Sequence, residues 1–353
     1  MRTGQTLCVG LGLWLVACGG GDSNGDGDAG TGVVSGGINP TQPTTESGDD
    51  DGGDGSIKLD TENADGTGNG AEGAGGTGCE KVDFLFIIDS SASMEDEQSN
   101  LLGSFPGFIT AIEDTLDLTD FHMMVVDAGS VAGGGCDGTL GAGRTSSASG
   151  ADCGLAGSTR YATQDQADLG AAFSCMGARG FAGPGDEQTM DALVAAIGPL
   201  SADGGCNSGF LRDDAILVVT IITDEEDSPS DTVAVPPLDG SCAPADADPN
   251  SSGNPDTWAA AVVAAKAGNE AAAVVLSLLG DCDIGGSCQG IVPEAGNPAA
   301  PVTGAEPAPR IRQFTESFGF GSVGPVCAAD YTPFFLDAVS VIESACDDFI
   351  PPG

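Results

Sequence analysis

Four apolar runs of strand length are spread along the chain: VDFLFII (82–88), FHMMVV (121–126), AILVVTII (215–222) and AAAVVLSLL (271–279). Their apolar positions are nearly continuous rather than alternating. That pattern predicts strands covered on both faces, as in a parallel sheet. Between the runs, apolar residues recur at helical spacing. Over 95–115 the stripe is Leu101, Leu102, Phe105, Phe108, Ile109 and Ile112. Further helices are predicted near 165–176, 187–197, 255–267, 307–318 and 330–345. Strand and helix alternate repeatedly, so the expected class is α/β, a doubly wound, mainly parallel sheet flanked by helices.

Three inserts lengthen this pattern, at about 128–158, 228–254 and 281–305. They are rich in Gly, Pro, Asp and Ser and carry five cysteines. Long loops are costly to order, and cross-links offset part of that cost. No internal repeat is visible.

Upstream of residue 79 the periodicity disappears. Residues 19–78 contain 20 Gly and 12 Asp or Glu with no aromatic residue, too little apolar surface to offset the entropy of ordering. The segment reads as a linker with a reach of roughly 40–50 Å. Two motif matches inside it are accidents of composition. GDSNG (21–25) fits GxSxG but has no strand before the Ser and no helix after it. DSNGDG (22–27) starts like a calcium loop, yet its twelfth position is Val33 and not a bidentate Glu.

The first residues read as a targeting segment, with Arg2 followed by an apolar stretch, Leu7 to Ala17, too short to span a bilayer. LVAC (15–18) resembles the lipobox of a bacterial lipoprotein signal. That resemblance implies cleavage before Cys18, lipid on Cys18, and, with Gly19 next, an address in the cell envelope at the outer membrane. The alternative is an ordinary secretory signal with a chance Cys. The expected organisation is therefore signal (1–18), linker (19–78) and one folded domain (79–350).

An exported chain meets an oxidising compartment, so the ten remaining cysteines read as disulfide partners. They are Cys79, Cys136, Cys153, Cys175, Cys206, Cys242, Cys282, Cys288, Cys327 and Cys346. Zinc is the competing reading, but there is no CxxC and only one His. Proximity in sequence suggests the pairs Cys136–Cys153 and Cys282–Cys288. Charge narrows the partners: 53 acidic against 10 basic residues give −43. Nucleic acid is excluded as a partner, because no basic surface exists to displace counterions from phosphate.

The chemistry gathers where strands end. DFLFIIDSSASM (83–94) runs a buried strand into Asp89, Ser91 and Ser93, and AILVVTIITDEED (215–227) runs another into Asp224. Ligands of doubly wound sheets bind beyond the carboxyl ends of strands. Two acidic strand tips, one with a DxSxS turn, form an all-oxygen donor set suited to a hard cation. A helix N-cap is the plainer reading of the serines, with Glu95, Asp96 and Glu97 favouring the helix dipole. Glu225, Glu226 and Asp227 read as solvated or behind the ligands. His122 lies in an apolar strand and reads as structural, which leaves a Ser-His-Asp triad without a base. Asp330 reads as a cap and Tyr331 as core.

Together, DFLFIIDSSASM and IITDEED resemble the von Willebrand factor A-type domain with its metal-ion-dependent adhesion site, over nearly all of 79–350. The resemblance implies a Rossmann-like sheet and a Mg²⁺, Ca²⁺ or Mn²⁺ held by Ser91 and Ser93, with Asp89 and Asp224 direct or through water. The family's threonine ligand is where this chain departs. GDEQTMDAL (185–193) aligns Glu187 at its place, with Thr189 two residues on; either could be the ligand. A Glu there adds negative charge and shifts preference from Mg²⁺ toward Ca²⁺. The implied function is a lipid-anchored binding module in which a protein or other acidic ligand completes the metal shell. The alternatives are an envelope scaffold with a structural cation and, behind it, a metal-dependent hydrolase; no catalytic residue is expected.

Overall fold

The computed structural model describes residues 80–116, 120–129, 133–183, 187–227, 252–280 and 304–352. The signal, the linker and the cysteines at 18, 79, 242, 282 and 288 lie outside the described residues, as do most of the second and third inserts.

Among the described residues six strands form one sheet: β1 (Lys81–Ile88), β2 (Asp120–Asp127), β3 (Ala162–Thr163), β4 (Ile216–Ile222), β5 (Ala273–Leu279) and β6 (Gly321–Pro325). Their order is β3-β2-β1-β4-β5-β6. Every pairing is parallel except the two-residue β2–β3 contact. The α-helices among the described residues are α1 (Glu95–Thr115), α2 (Leu169–Gly177), α3 (Thr189–Ile197), α4 (Pro255–Ala265), α5 (Pro309–Glu316) and α6 (Thr332–Asp348). The α/β expectation therefore holds at the level of a mostly parallel sheet flanked by helices.

Strand pleating sorts the core into two halves. Val82, Phe84, Phe86 and Ile88 face one side with Phe105, Phe108, Phe173 and Phe335 from α1, α2 and α6. Leu85 and Ile87 face the other, with Met190, Leu193, Trp258, Val262, Ile311 and Phe314 from α3, α4 and α5. Both faces are covered, which is why the strands read as unbroken apolar runs.

The two edge strands were not legible. β6 is GSVGP, a composition that reads as a turn. Its glycines are required by close approach: a Cβ on Gly321 would sit 2.1 Å from the Thr315 carbonyl oxygen, and one on Gly324 2.5 Å from Phe334 Cδ2. Helix starts also shifted where caps intervene. The predicted start of α2 at 165 moves to Leu169, because the Asp168 side chain accepts from the Ala171 amide at 2.8 Å.

The disulfides correct one expectation. Cys136 pairs with Cys206 and Cys153 with Cys175, not with each other; Cys327 and Cys346 are also disulfide-bonded. The two arms of the first insert dock on different elements, Cys153 against α2 and Cys136 against the loop after α3. Nearness along the chain was a poor guide. A buried ion cluster holds the same insert: Arg144 and Arg179 both pair with Asp127 at the end of β2.

At the opposite, amino-terminal end of the sheet, Arg212 pairs with buried Asp83 at 2.8 Å. The His122 ring nitrogen lies 2.7 Å from the Phe210 carbonyl. This is the structural role expected of His122.

Phe86 touches Phe105, Phe108 and Phe173 edge-on. Phe86→Ala should destabilise the domain by about 3–5 kcal/mol, read by urea unfolding. Leu336→Ser, on an exposed position of α6, should stay within about 0.5 kcal/mol of the parent.

Candidate functional site

Strand order reverses between β1 and β4: from β1 the chain moves outward through β2, and from β4 it moves the other way through β5. The two acid-tipped strands are therefore neighbours. Ile88 lies opposite Ile222, and the ladder continues one step as the Asp89 amide donates to the Ile222 carbonyl at 3.0 Å. Past that point the ladder stops, at the switch point where doubly wound sheets form a ligand crevice.

Asp89 is fixed from two directions. Its Oδ1 accepts from the Ser91 amide at 2.7 Å, and its Oδ2 accepts from the Thr223 hydroxyl at 2.9 Å. The Ser91 and Ser93 hydroxyls lie 3.1 Å apart. Neither caps a helix: Ser91 precedes the short 3₁₀ turn Ala92–Met94 without a side-chain cap bond, and Met94 stands at the N-cap of α1. The capping reading of these serines is thereby set aside.

Buried polar atoms with no well-formed hydrogen bond lie on the neighbouring loops and on α1: both oxygens of Asp224, Glu187 Oε1, Thr189 Oγ1 and both oxygens of Glu97. The Asp224, Glu187 and Glu97 carboxyls each interact with the Asp89 charge. Asp224, Glu97 and Thr189 are fully buried and Glu187 nearly so. Burial and the neighbouring Asp89 charge push the Asp224 carboxyl up to about 9, and nearby Ser93 pulls the other way. Burial, then Asp89, drives Glu187 strongly upward as well. Of the two candidates on the second loop, Glu187 is thus the one electrostatically linked to Asp89. Thr189 opens α3, its hydroxyl buried beside that loop. Burial and Asp96 push Glu97 up to about 8, with Asp89 adding to the rise.

An ionised carboxylate buried without a partner costs several kcal/mol, against a whole-domain stability of about 5–15 kcal/mol. These groups must hold protons or share a cation. Among the described residues, no three His, Cys, Asp or Glu side chains gather closely enough to hold a metal by themselves. A cation here would therefore depend on the serine hydroxyls as well as on carboxylates. The donor set is oxygen only, which fits Mg²⁺, Ca²⁺ or Mn²⁺ and does not fit a thiolate-loving metal.

The remaining acids of the DEED run have other work. Asp227 Oδ1 accepts from the Met190 amide at 2.8 Å, capping α3, and Glu226 Oε2 accepts from the Arg310 amide at 2.8 Å, capping α5. They were expected to be solvated or behind the ligands. Glu226 and Asp227 are not solvated: they dock two helix starts onto the loop that carries Asp224, a supporting place behind it.

Comparison with protein-family models and with curated protein sequences gives no match. The site is read from this chain alone.

Sequence reasoning missed Glu97, Gln98 and Thr223. Glu97 had a signal: it stands four residues before Leu101, on the same buried stripe of α1 as Phe105 and Phe108, where a carboxylate has no business without a partner. Gln98 Nε2 donates to the Asp89 carbonyl at 3.0 Å and also to the Gly180 carbonyl, while its Oε1 accepts from the Gly180 amide at 2.9 Å. The loop 178–183 is thereby strapped to the DxSxS turn. A second tie is the Gly183 amide on the Ser90 carbonyl at 2.8 Å. Gly183 cannot be larger, since a Cβ would lie 2.3 Å from Ser90 Oγ.

A carboxyl whose folded pKa is raised stabilises the fold at acid pH and withdraws that support as pH rises through the folded value. The cation-free domain should therefore melt several degrees lower at pH 9 than at pH 5, the loss accumulating from the ordinary carboxyl range up to the raised values of Glu97 and Asp224. Thermal melts in EDTA check this. Added Ca²⁺ should restore stability most at the alkaline end, where the carboxylates are free to bind it.

Proposed function

We propose that residues 79–350 form a von Willebrand factor A-type domain that binds a divalent cation at the β1/β4 crevice and, through it, an acidic group of a partner protein. Ser91, Ser93, Asp89 and Asp224 would hold the ion, with Glu187 or Thr189 from the loop before α3 as a further ligand. The lipobox-like LVAC and the Gly-rich linker support a lipid-anchored module held away from the membrane of a bacterial cell envelope. No helix among the described residues is long and apolar enough to cross a membrane, so the anchor in this reading is the lipid on Cys18.

The observation that carries the reading is the buried Asp224 carboxyl, set beside Asp89 and Ser93 with no well-formed hydrogen bond of its own and no cationic side chain among the groups that act on it. Proteins leave few buried polar atoms unsatisfied, and an ion is one of the recognised explanations. When bound, the ion supplies positive charge and an exchangeable coordination position. The chain supplies orientation: Thr223 and the Ser91 amide hold Asp89 in place, and Asp227 and Glu226 hold the loop around Asp224.

Glu187 favours a second reading, an envelope scaffold in which the ion is a structural staple. A third oxygen anion in the shell lowers the ion's remaining attraction for an acidic ligand. It also favours Ca²⁺, which takes more oxygens in looser geometry.

Calorimetric titration of the EDTA-stripped chain with CaCl₂, MgCl₂ and MnCl₂ tests the site. One ion should bind per molecule, and Ser91→Ala and Asp224→Asn should each weaken uptake by at least about tenfold, the lower end of what loss of even a supporting group costs. Absence of uptake of all three ions would falsify the cation site. The two readings separate in Glu187→Thr. In the binding module it retains or gains capture of carboxylate ligands, and in the scaffold it mainly forfeits the rise in melting temperature on adding Ca²⁺.

A further inference from the structure

The strap over the DxSxS turn carries an unexpected side chain. Among the described residues the exposed large hydrophobics are Phe181, Leu336 and Ile350, and Phe181 is 49 % exposed. Leu336 lies on α6 and Ile350 follows its end. Phe181 alone belongs to the rim of the crevice, between Gly180, bonded to Gln98, and Gly183, bonded to Ser90.

Its exposure is not the result of a loose loop. The Ala148 amide donates to the Ala178 carbonyl at 2.9 Å. Arg179 is buried, donating to Asp127 Oδ1 and to the Ser146 carbonyl, each at 2.7 Å. Gly180 adopts φ +72°, a left-handed turn that a side chain would resist. The backbone on both sides of Phe181 is thus held against the turn that bears Ser91 and Ser93, and the ring is presented to solvent from a fixed base. Aromatic side chains on rigid supports are the usual anchors of protein interfaces, because they bury large area for little lost rotamer freedom.

Charge restricts the partner further. Every Lys and Arg among the described residues is already committed. Lys81 pairs with Asp214, Arg160 with Asp137, Arg212 with Asp83 and Asp120, and Arg312 with Glu316. Lys266 donates to the Arg212 carbonyl, and Arg310 lies over the Trp258 ring. Arg144 and Arg179 share Asp127. An approaching acidic protein would meet net repulsion with no uncommitted cationic side chain among the described residues to offset it, whereas a basic one is steered inward.

We propose that Phe181 is the apolar anchor of the binding surface, and that the surface takes a basic protein segment in which one carboxylate stands beside an apolar side chain. The carboxylate would enter the cation's open position and the apolar side chain would cover Phe181. This rests on the cation-dependent binding proposed above and narrows it to one kind of partner.

The test uses the full chain with synthetic ten-residue peptides of net positive charge, each with an Asp next to a Leu. Matched peptides carry Asn for the Asp or Ser for the Leu, and oligogalacturonate serves as a non-protein carboxylate. Affinities are measured by fluorescence polarisation in Ca²⁺ or Mg²⁺ and again in EDTA. Asp-Leu peptides should bind only with cation, and loss of either side chain should weaken binding by roughly tenfold, as expected for an anchor contact. Phe181→Ser should weaken the Asp-Leu peptide similarly, abolish the difference between Leu and Ser peptides, and leave cation uptake unchanged. Phe181→Leu should keep most of the affinity. Equal binding by Phe181→Ser and the parent, or capture of oligogalacturonate with no peptide bound, overturns the proposal while the cation site stands. Failure of cation uptake in the parent overturns both.

Discussion

Parallel pairing of β1 with β4 carries two acid-tipped strand ends to within one hydrogen bond of each other, Thr223 to Asp89 at 2.9 Å. Everything at the crevice follows from that juxtaposition. Ladder bonding persists through the Asp89 amide and then stops, so the next residues must find other partners. Asp89 finds them in the Ser91 amide and Thr223. Asp224 has only the nearby Ser93 hydroxyl and Asp89 itself. A pair of carboxyls buried at one point is unstable as two bare anions and stable with protons or a shared cation.

The rest of the fold keeps its own cations away from that point. The buried guanidinium of Arg179 lies on the strap beside the crevice yet is bound to Asp127. Arg310 follows the start of α5 and is stacked on Trp258. A chain of −43 has plenty of acid and little base, and each Lys and Arg among the described residues is already bound to another group of the chain. Positive charge for the crevice must come from solvent. The same shortage limits long-range attraction to basic partners, which is how a local demand for a carboxylate and a global preference for a basic protein coexist.

Support around the crevice comes from contacts that have nothing to do with ligand chemistry. Gln98 and Gly183 fasten the 178–183 strap to the DxSxS turn. Asp227 and Glu226 use their carboxylates to cap α3 and α5, so the loop after β4 is held by two helices at once. The DEED run is therefore divided: its first acid is buried beside Asp89, and its third and fourth are spent on positioning.

The sequence alone determined the sheet and most of its helices, because burial on both faces demands unbroken apolar runs and burial on one face of a helix demands a 3.6-residue stripe. It also marked Asp89, Ser91, Ser93 and Asp224, since polar residues at the ends of such runs stand out against them. It could not reveal β6, where glycines serve close packing and mimic a turn, nor the partners of Cys136 and Cys153, which depend on where the insert docks. Tertiary structure alone decided that the buried Glu97 carboxyl meets the charge of Asp89 and no cation, that Asp227 is a cap, and that Phe181 stands on the strap. The physical reason is the same in each case: periodicity records which side of an element is buried, whereas the neighbour met on that side is set by strand order and loop docking, which no local pattern encodes.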